Sequence, residues 1–291
     1  MQYDLFIGDR SFSSWSLRGW LMLEKFGIPH RTHMVGLYDG TMAEDLADLH
    51  PARLVPVMRD NDGVVIFDTL AMAETLAERH PEAGFWPDDP AARALARSIT
   101  AEMHSGFSAL RGECPMQLLH QVQGFEPSQA VTAELKRLSL LWDLARAKHG
   151  QSGPWLFGRY SLADVFYAPV AARIAGYGLT VSAVAQDYVD TTLSDTSFRQ
   201  WRAMGLTKTY DPMPYDMGLP NSVWPGPITK AAAPTEECSS ENTHCPYSNL
   251  PGTHFMETGG RIFGFCNAFC RDKTVADQEA WPKFVAMRDA E

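Results

Sequence analysis

Two groups of residues in this chain of 291 residues have the types and spacing to do chemistry. The first is a run of hydroxyls, Ser11, Ser13, Ser14 and Ser16, leading into a stretch whose apolar positions Leu17, Trp20, Leu21 and Leu23 keep a helical period. A helix N-terminus presents N–H groups without partners and about half a positive charge, so a thiolate held there is favoured over a thiol. A serine hydroxyl can donate directly to that sulfur, and each pKa unit removed from the thiol is about 1.4 kcal/mol of preference for the thiolate. Ser14 is placed to cap this helix, and capping alone would account for any single serine.

The second group is cysteine. Of 5 cysteines only Cys114 precedes the last sixty or so residues, while Cys238, Cys245, Cys266 and Cys270 crowd the tail. In a reducing compartment such a cluster points to metal binding or thiol chemistry rather than cross-links. Cys266 and Cys270, four positions apart at the start of a helix, can meet one ion, and Cys245 on a preceding segment completes three thiolates of a tetrahedral site. Cys238 and His254 are the rival fourth ligands, with His244 also in reach of the pattern. Zinc suits such a set, and copper(I) would accept it too. A redox pair of Cys266 and Cys270 fits less well, because the gap is not that of a CxxC motif.

The elements needed to position the hydroxyls follow from the first 80 residues. Strands at Tyr3–Ile7, about Arg31–Val35, Val55–Arg59 and Val64–Phe67 alternate with helices from Ser14, around Met42–Leu49 and from Thr69 to about Glu78, with Asn61-Asp62-Gly63 as a turn. The order β-α-β-α-β-β-α is that of a thioredoxin fold. Pro56 opens a strand, where a cis bond would turn the backbone of Val55 outward to pair with a peptide-like ligand. Asp68 and Thr69 bring an acid, a hydroxyl and free N–H groups to one helix start, an arrangement that can hold an amino acid's ammonium and carboxylate together.

After a Pro- and acid-rich linker at 81–90 the strand signals stop, and helical periods run over Ala91–Leu110, Ser128–Lys148, Ser161–Ala175 and Val181–Met204. Met103, His104, Phe107 and Arg111 fall at helical spacing there and are candidate contacts for a second substrate. The division expected is residues 1–80 as an α/β unit, 90–208 as an all-helical unit, 209–234 as a Pro- and Gly-rich linker, and 235–291 as the cysteine module. In that module a hairpin is expected over Thr253–Glu257 and Arg261–Phe265, turned at Gly259-Gly260. So short a module buries little apolar surface, and a structural ion would supply the missing stability.

The serine loop ending in Trp15 and Arg18, the Val55-Pro56 pair and the Asp68-Thr69 helix start together resemble the glutathione S-transferase family, especially its zeta-like bacterial members. Phe157-Gly158-Arg159-Tyr160-Ser161-Leu162-Ala163-Asp164 is similar to that family's capping-box segment, so the likeness extends to about residue 206. It implies a thioredoxin-like domain followed by an all-helical one, a homodimer, and glutathione as co-substrate for conjugation to, or isomerisation of, a small electrophile. Matched without a gap on Trp15 and Arg18, the catalytic serine falls on Ser11, and Ser13 stands where zeta enzymes have cysteine. Phe12 replaces a second serine, which leaves Ser11, Ser13 and Ser14 as candidates to face the sulfur. The resemblance gives Val55 the cysteinyl backbone, Asp68 and Thr69 the γ-glutamyl end in place of the usual Glu-Ser, and Arg53 the glycyl carboxylate. The segment from Phe265 to Phe284 resembles small treble-clef-like metal modules of the TRASH and YHS type.

A net charge of -10 argues against a nucleic-acid partner, since such binding rests on clustered Lys and Arg. No basic-then-apolar leader and no apolar run of about 18 residues appears, so a cytoplasmic, non-membrane protein is expected. A second function class stays open beside the enzyme: a non-catalytic metal-handling or sensing protein built on a transferase-like scaffold.

Overall fold

Alternation in the first strand sets which face of the sheet becomes core. In β1 (Tyr3–Ile7) the side chains of Tyr3, Leu5 and Ile7 are buried, and those between them are less so. The computed structural model describes residues 2–208 and 215–290 and divides into two compact units. In the first, β1 is followed by α1 (Ser14–Glu24), β2 (His30–Met34), α2 (Met42–Asp45), β3 (Val57–Arg59), β4 (Val65–Phe67) and α3 (Thr69–Arg79). The sheet order is β2-β1-β3-β4, with β1 parallel to β2 and antiparallel to β3. A parallel pair needs a crossover, and α1 supplies it.

This is the expected α/β order with local corrections. The third strand starts at Val57 rather than Val55, because Pro56 has no N–H to give to a ladder. The cap of α1 is Ser13, not Ser14. The Met42–Leu49 helix is α2 followed by a 3₁₀ turn at Ala47–Leu49. The turn before β4 is held by Asp60, whose Oδ1 accepts the N–H groups of Asp62 and Val64 at 3.0 and 2.8 Å.

The same unit continues with α4 (Pro90–Ser105), α5 (Ser108–Glu113), β5 (Gln121–Val122), α6 (Gln129–His149), α7 (Leu162–Gly176) and α8 (Ala183–Ser194). The helix expected over Ala91–Leu110 is broken: Gly106 leaves it and Phe107 takes a left-handed φ of 55° before α5 begins. Helix α7 is buried on almost every side, as expected of a helix apolar all round. Its capping box is present. Asp164 Oδ2 accepts the N–H and hydroxyl of Ser161 at 2.8 and 2.9 Å, and Oδ1 accepts Leu156 N–H at 3.1 Å. Burial pushes the Asp164 carboxyl up to about 6 against these three donors.

The linker expected at 209–234 does not behave as one segment. Its residues 209–214 lie outside the described ones. Residues 215–225 belong to the first unit, where β6 (Asn221–Ser222) pairs with β5 and Trp224 is buried. Residues from 226 onward belong to the second.

The second unit also takes α9 (Thr196–Gly205), so the predicted Val181–Met204 helix is two helices. Asp195 separates them by accepting the N–H groups of Ser197 and Phe198, the competition with helix bonding that short acids offer. β7 (Ala233–Thr235), β8 (His254–Thr258) and β9 (Arg261–Phe265) form an antiparallel sheet in that order, followed by α10 (Ala268–Ala276) and α11 (Pro282–Arg288). Gly259 and Gly260 turn the hairpin with φ of 58° and 75°, a conformation glycine adopts without steric cost. Met256, Phe263, Phe265, Trp281 and Phe284 make its core, and Arg199 pairs with Asp277 through two bonds of 2.8 and 2.7 Å.

Helix α1 approaches the strand opening closely enough that only glycine fits at 19. A Cβ there would lie 2.9 Å from Pro56 Cγ. Gly19→Ala is therefore expected to destabilise by about 1–3 kcal/mol through overpacking, although alanine in a helix interior is favoured over glycine by about 1 kcal/mol. Urea unfolding reads the sign: a stabilised variant would show that the approach of α1 to Pro56 is not tight.

Candidate active site

The first unit contains a cleft of about 880 Å³. Its walls are the start of α1 (Ser13, Ser14, Trp15), the Val55-Pro56 pair, the Phe67-Asp68-Thr69 corner, and a further set made of Tyr38, Arg111, Arg173 and Tyr215. The Val55–Pro56 bond is cis. Arg53 is exposed and also lines the cleft.

The hydroxyls are not equivalent. Ser11 is 1% exposed and does not line the cleft; its N–H donates to Asp9 Oδ1 at 2.6 Å and its carbonyl accepts from Leu118 at 2.9 Å. The gap-free match thus points to a serine that the fold withdraws. Ser13 lines the cleft, but its hydroxyl donates to Ser16 Oγ at 2.8 Å, and Ser16 Oγ also accepts Gly8 N–H at 3.0 Å. Ser14, half-buried in the first turn, is the remaining hydroxyl on the cleft wall at this helix start.

At the opposite corner Asp68 caps α3. Oδ1 accepts the N–H groups of Leu70 and Ala71 at 2.8 and 3.2 Å, and the residue holds a left-handed φ of 75°. Oδ2 lies 3.2 Å from His104 Nε2. Thr69 is fully buried, lines the cleft, and its hydroxyl has no hydrogen-bond partner among the described residues. An unmet hydroxyl beside a capped acid is a place where a ligand's carboxylate and ammonium can both be satisfied.

The four helical positions proposed for a second substrate separate in the fold. Met103 and Phe107 are core. His104 goes to Asp68 instead of the cleft wall. Arg111 does line the cleft, its guanidinium 5.2 Å from the Trp15 ring centre. Sequence reading missed Arg173, Tyr38 and Tyr215. Arg173 donates to the carbonyls of Cys114 and Pro169 at 2.8 and 3.2 Å, and burial lowers its pKa to about 10. The hydroxyls of Tyr38 and Tyr215 are 3.0 Å apart, and both rings pack against Phe12, with centroids 5.4 and 6.0 Å away. Nothing local marked Tyr215, an aromatic residue in a Pro- and Gly-rich stretch. Behind the wall, Arg18 is buried between the rings of Trp15 and Phe166, at 4.6 and 5.0 Å. Burial first, then Arg173 and Arg111, lower its pKa to about 9.

In the second unit the ligand atoms of Cys245, Cys266 and Cys270 all lie within 4.8 Å of one another. Exposed Cys238 and half-buried His254 both lie outside this group, and His254 Nδ1 is 3.0 Å from Thr253 Oγ1. Asn267 caps α10 by accepting Cys270 N–H at 2.8 Å, which brings that sulfur to 3.9 Å from Cys266 Sγ. Burial raises the Cys245 thiol, but N–H groups of Cys266, Tyr247 and Ser248 and the Ser248 hydroxyl outweigh it and hold the thiol at about 7. Burial pushes Cys270 up to about 12.

Residues 12–79 match the family described as "Glutathione S-transferase, N-terminal domain". A "Probable maleylacetoacetate isomerase" of Caenorhabditis elegans is 31% identical over 175 residues, 60% of this chain and 79% of that protein. The maleylacetoacetate isomerase of Rattus norvegicus is 30% identical over 177 residues, 60% of this chain and 78% of that protein. A glutathione transferase homologue from Burkholderia gl BGR1, solved with bound glutathione, shares the fold with a TM-score of 0.52 at 21% identity, over 70% of this chain and 98% of that one. With a thioredoxin-like half and a helical half on one cleft, and relatives matched over most of their own length, the chain belongs to the glutathione S-transferase family.

Proposed function

We propose that this chain is an enzyme that binds glutathione, activates its thiol at the start of α1, and uses it to conjugate or isomerise a small electrophile. The observation that carries this reading is the shared cleft: a serine-bearing helix start and a buried, unpartnered Thr69 hydroxyl beside Asp68 line the same walls. Asp68 Oδ2 takes the γ-glutamyl ammonium and Thr69 its carboxylate. Val55 pairs with the cysteinyl backbone, and Arg53 reaches the glycyl carboxylate. The sulfur rests at the N-terminus of α1, where the helix and the Ser14 hydroxyl stabilise the thiolate. Arg111 and Arg173 suit an electrophile that carries negative charge, and the isomerase names of the relatives favour the isomerisation arm.

Ser14→Ala is expected to lower kcat by about ten- to a hundredfold, the loss of one good donor to a developing or bound anion, while KM for glutathione changes little. Ser11→Ala should keep its rate. Steady-state kinetics on both variants decide it, and a full-rate Ser14→Ala enzyme would move the role to Ser13.

A second reading rests on the cysteine triad: the second unit holds one zinc ion through Cys245, Cys266 and Cys270, in the manner of the TRASH and YHS modules. A zinc–sulfur bond of about 2.3 Å places tetrahedral sulfurs roughly 3.8 Å apart, close to the 3.9 Å between Cys266 and Cys270. Neither Cys238 nor His254 lies in the group, so the fourth position goes to water or a small thiol. Elemental analysis of protein made without added metal is expected to give about one zinc per chain, lost in a Cys266→Ser/Cys270→Ser variant and kept in Cys238→Ser. Equal metal in parent and double variant would overturn the site.

The family resemblance also supports a homodimer working in the reducing cytoplasm. Light scattering at micromolar concentration is expected to give the mass of two chains; the mass of one would refute the pairing.

A further inference from the structure

We propose that His104 is a positioning residue for glutathione: as a neutral donor it fixes the free oxygen of Asp68 for the γ-glutamyl ammonium without cancelling the carboxylate's charge. This rests on the glutathione reading above.

Asp68 has two oxygens with separate tasks. Oδ1 is committed to the N–H groups of Leu70 and Ala71, which leaves Oδ2 for a ligand. A carboxylate only accepts, so the 3.2 Å approach of His104 puts the imidazole proton on Nε2 and leaves Nδ1 as a lone pair. Nδ1 is buried without a hydrogen-bond partner among the described residues. As a lone pair it is one unmet neutral acceptor. As the N–H of an imidazolium it would be a buried donor with nothing to receive it, which is far more costly.

Every element packed around the ring bears on its charge. From α1, Trp15 meets it edge-on at 5.3 Å and Arg18 adds a positive charge; from α5, Arg111 adds another; from α7, Phe166 packs at 6.0 Å. Only Asp68 favours protonation. Burial is the largest influence, the two guanidiniums act with it, and His104 is held below its ordinary value. The unpartnered Nδ1, the burial and the two guanidiniums together favour an uncharged ring that keeps its Nε2 proton toward Asp68. A Lys or Arg at 104 would orient Asp68 equally well but would leave an ion pair with no net attraction for an ammonium.

The sign of the pH dependence follows by linkage. Ligand ammonium and ring proton compete for one carboxylate, so affinity is full while His104 is neutral and falls as acid protonates it. Because burial, with Arg18 and Arg111, holds the ring below its ordinary value, the fall lies on the acid side of neutrality.

The test is calorimetric binding of S-methylglutathione, which has no thiol to ionise, from pH 5 to 8, together with kinetics at saturating glutathione. His104→Gln keeps a neutral donor and is expected to bind like the parent at pH 7.5 while losing the acid-side decline. His104→Lys is expected to bind about tenfold more weakly at pH 7.5, the scale of one charge-assisted hydrogen bond. His104→Ala should raise KM for glutathione several-fold with kcat retained, which separates positioning from catalysis. Thermal melts of all three variants monitor folding. A His104→Lys protein that binds like the parent, or an acid decline that persists in His104→Gln, overturns the proposal and leaves the glutathione reading standing. Parent protein that does not bind S-methylglutathione at any pH overturns both.

Discussion

On the proposed reading the chemistry depends on one constraint: the N-terminal turn of α1 must sit hard against the structure behind it while its front stays open. Unpaired N–H groups are useful to a sulfur only if they do not move toward some other partner. The molecule fixes them from behind with the Ser16 hydroxyl, which accepts Gly8 N–H from the end of β1, and with the Arg18 guanidinium between Trp15 and Phe166. Gly19 lets the next turn close on Pro56. Thus the residue that borders the cleft and the residue that seats the helix are the same proline.

Charge is arranged against the average of the chain. The whole carries -10, yet Arg111 and Arg173 line the cleft and Arg18 lies buried behind its wall. Burial first, and then repulsion from neighbouring guanidiniums, lowers the pKa of Arg18 and Arg173. Over distances beyond about 8–10 Å at physiological salt the acidic surface is screened, so the local cations decide what the cleft accepts. An uncharged His104, as proposed, fits this setting, since another cation would add to the repulsion beside Asp68.

The fold was legible where the signal is local. Strand alternation in Tyr3–Ile7, the Asp60–Gly63 turn, the Ser161–Asp164 box and the Gly259-Gly260 hairpin are each decided within a few residues, and a sequence displays them. What was not legible is set by contacts distant in sequence. Ser11 and Ser14 differ by three positions, and which of them meets the cleft is decided by Asp9, Leu118 and Gly8. His104 reads as one stop on a helical stripe until Phe107 takes a left-handed φ and the stripe breaks. Trp224 and Tyr215 looked like linker because Pro and Gly surround them, but pairing of β6 with β5 is long-range and leaves no periodic mark.

The cysteine unit buries more apolar surface than was expected of its residues from sequence. It has gained α9 and β7 beyond the residues counted in sequence, and it closes a core of aromatic side chains with Arg199–Asp277 and Gln278 buried among its polar contacts. A unit with that much apolar burial has a folding driving force of its own. The sulfurs sit at one edge of this core, with Cys245 held by turn N–H groups and Cys270 by the Asn267 cap, so their convergence is built by backbone geometry. An ion bound there would order the turn and the cap rather than create the unit, which makes exchange of the ion compatible with a folded protein.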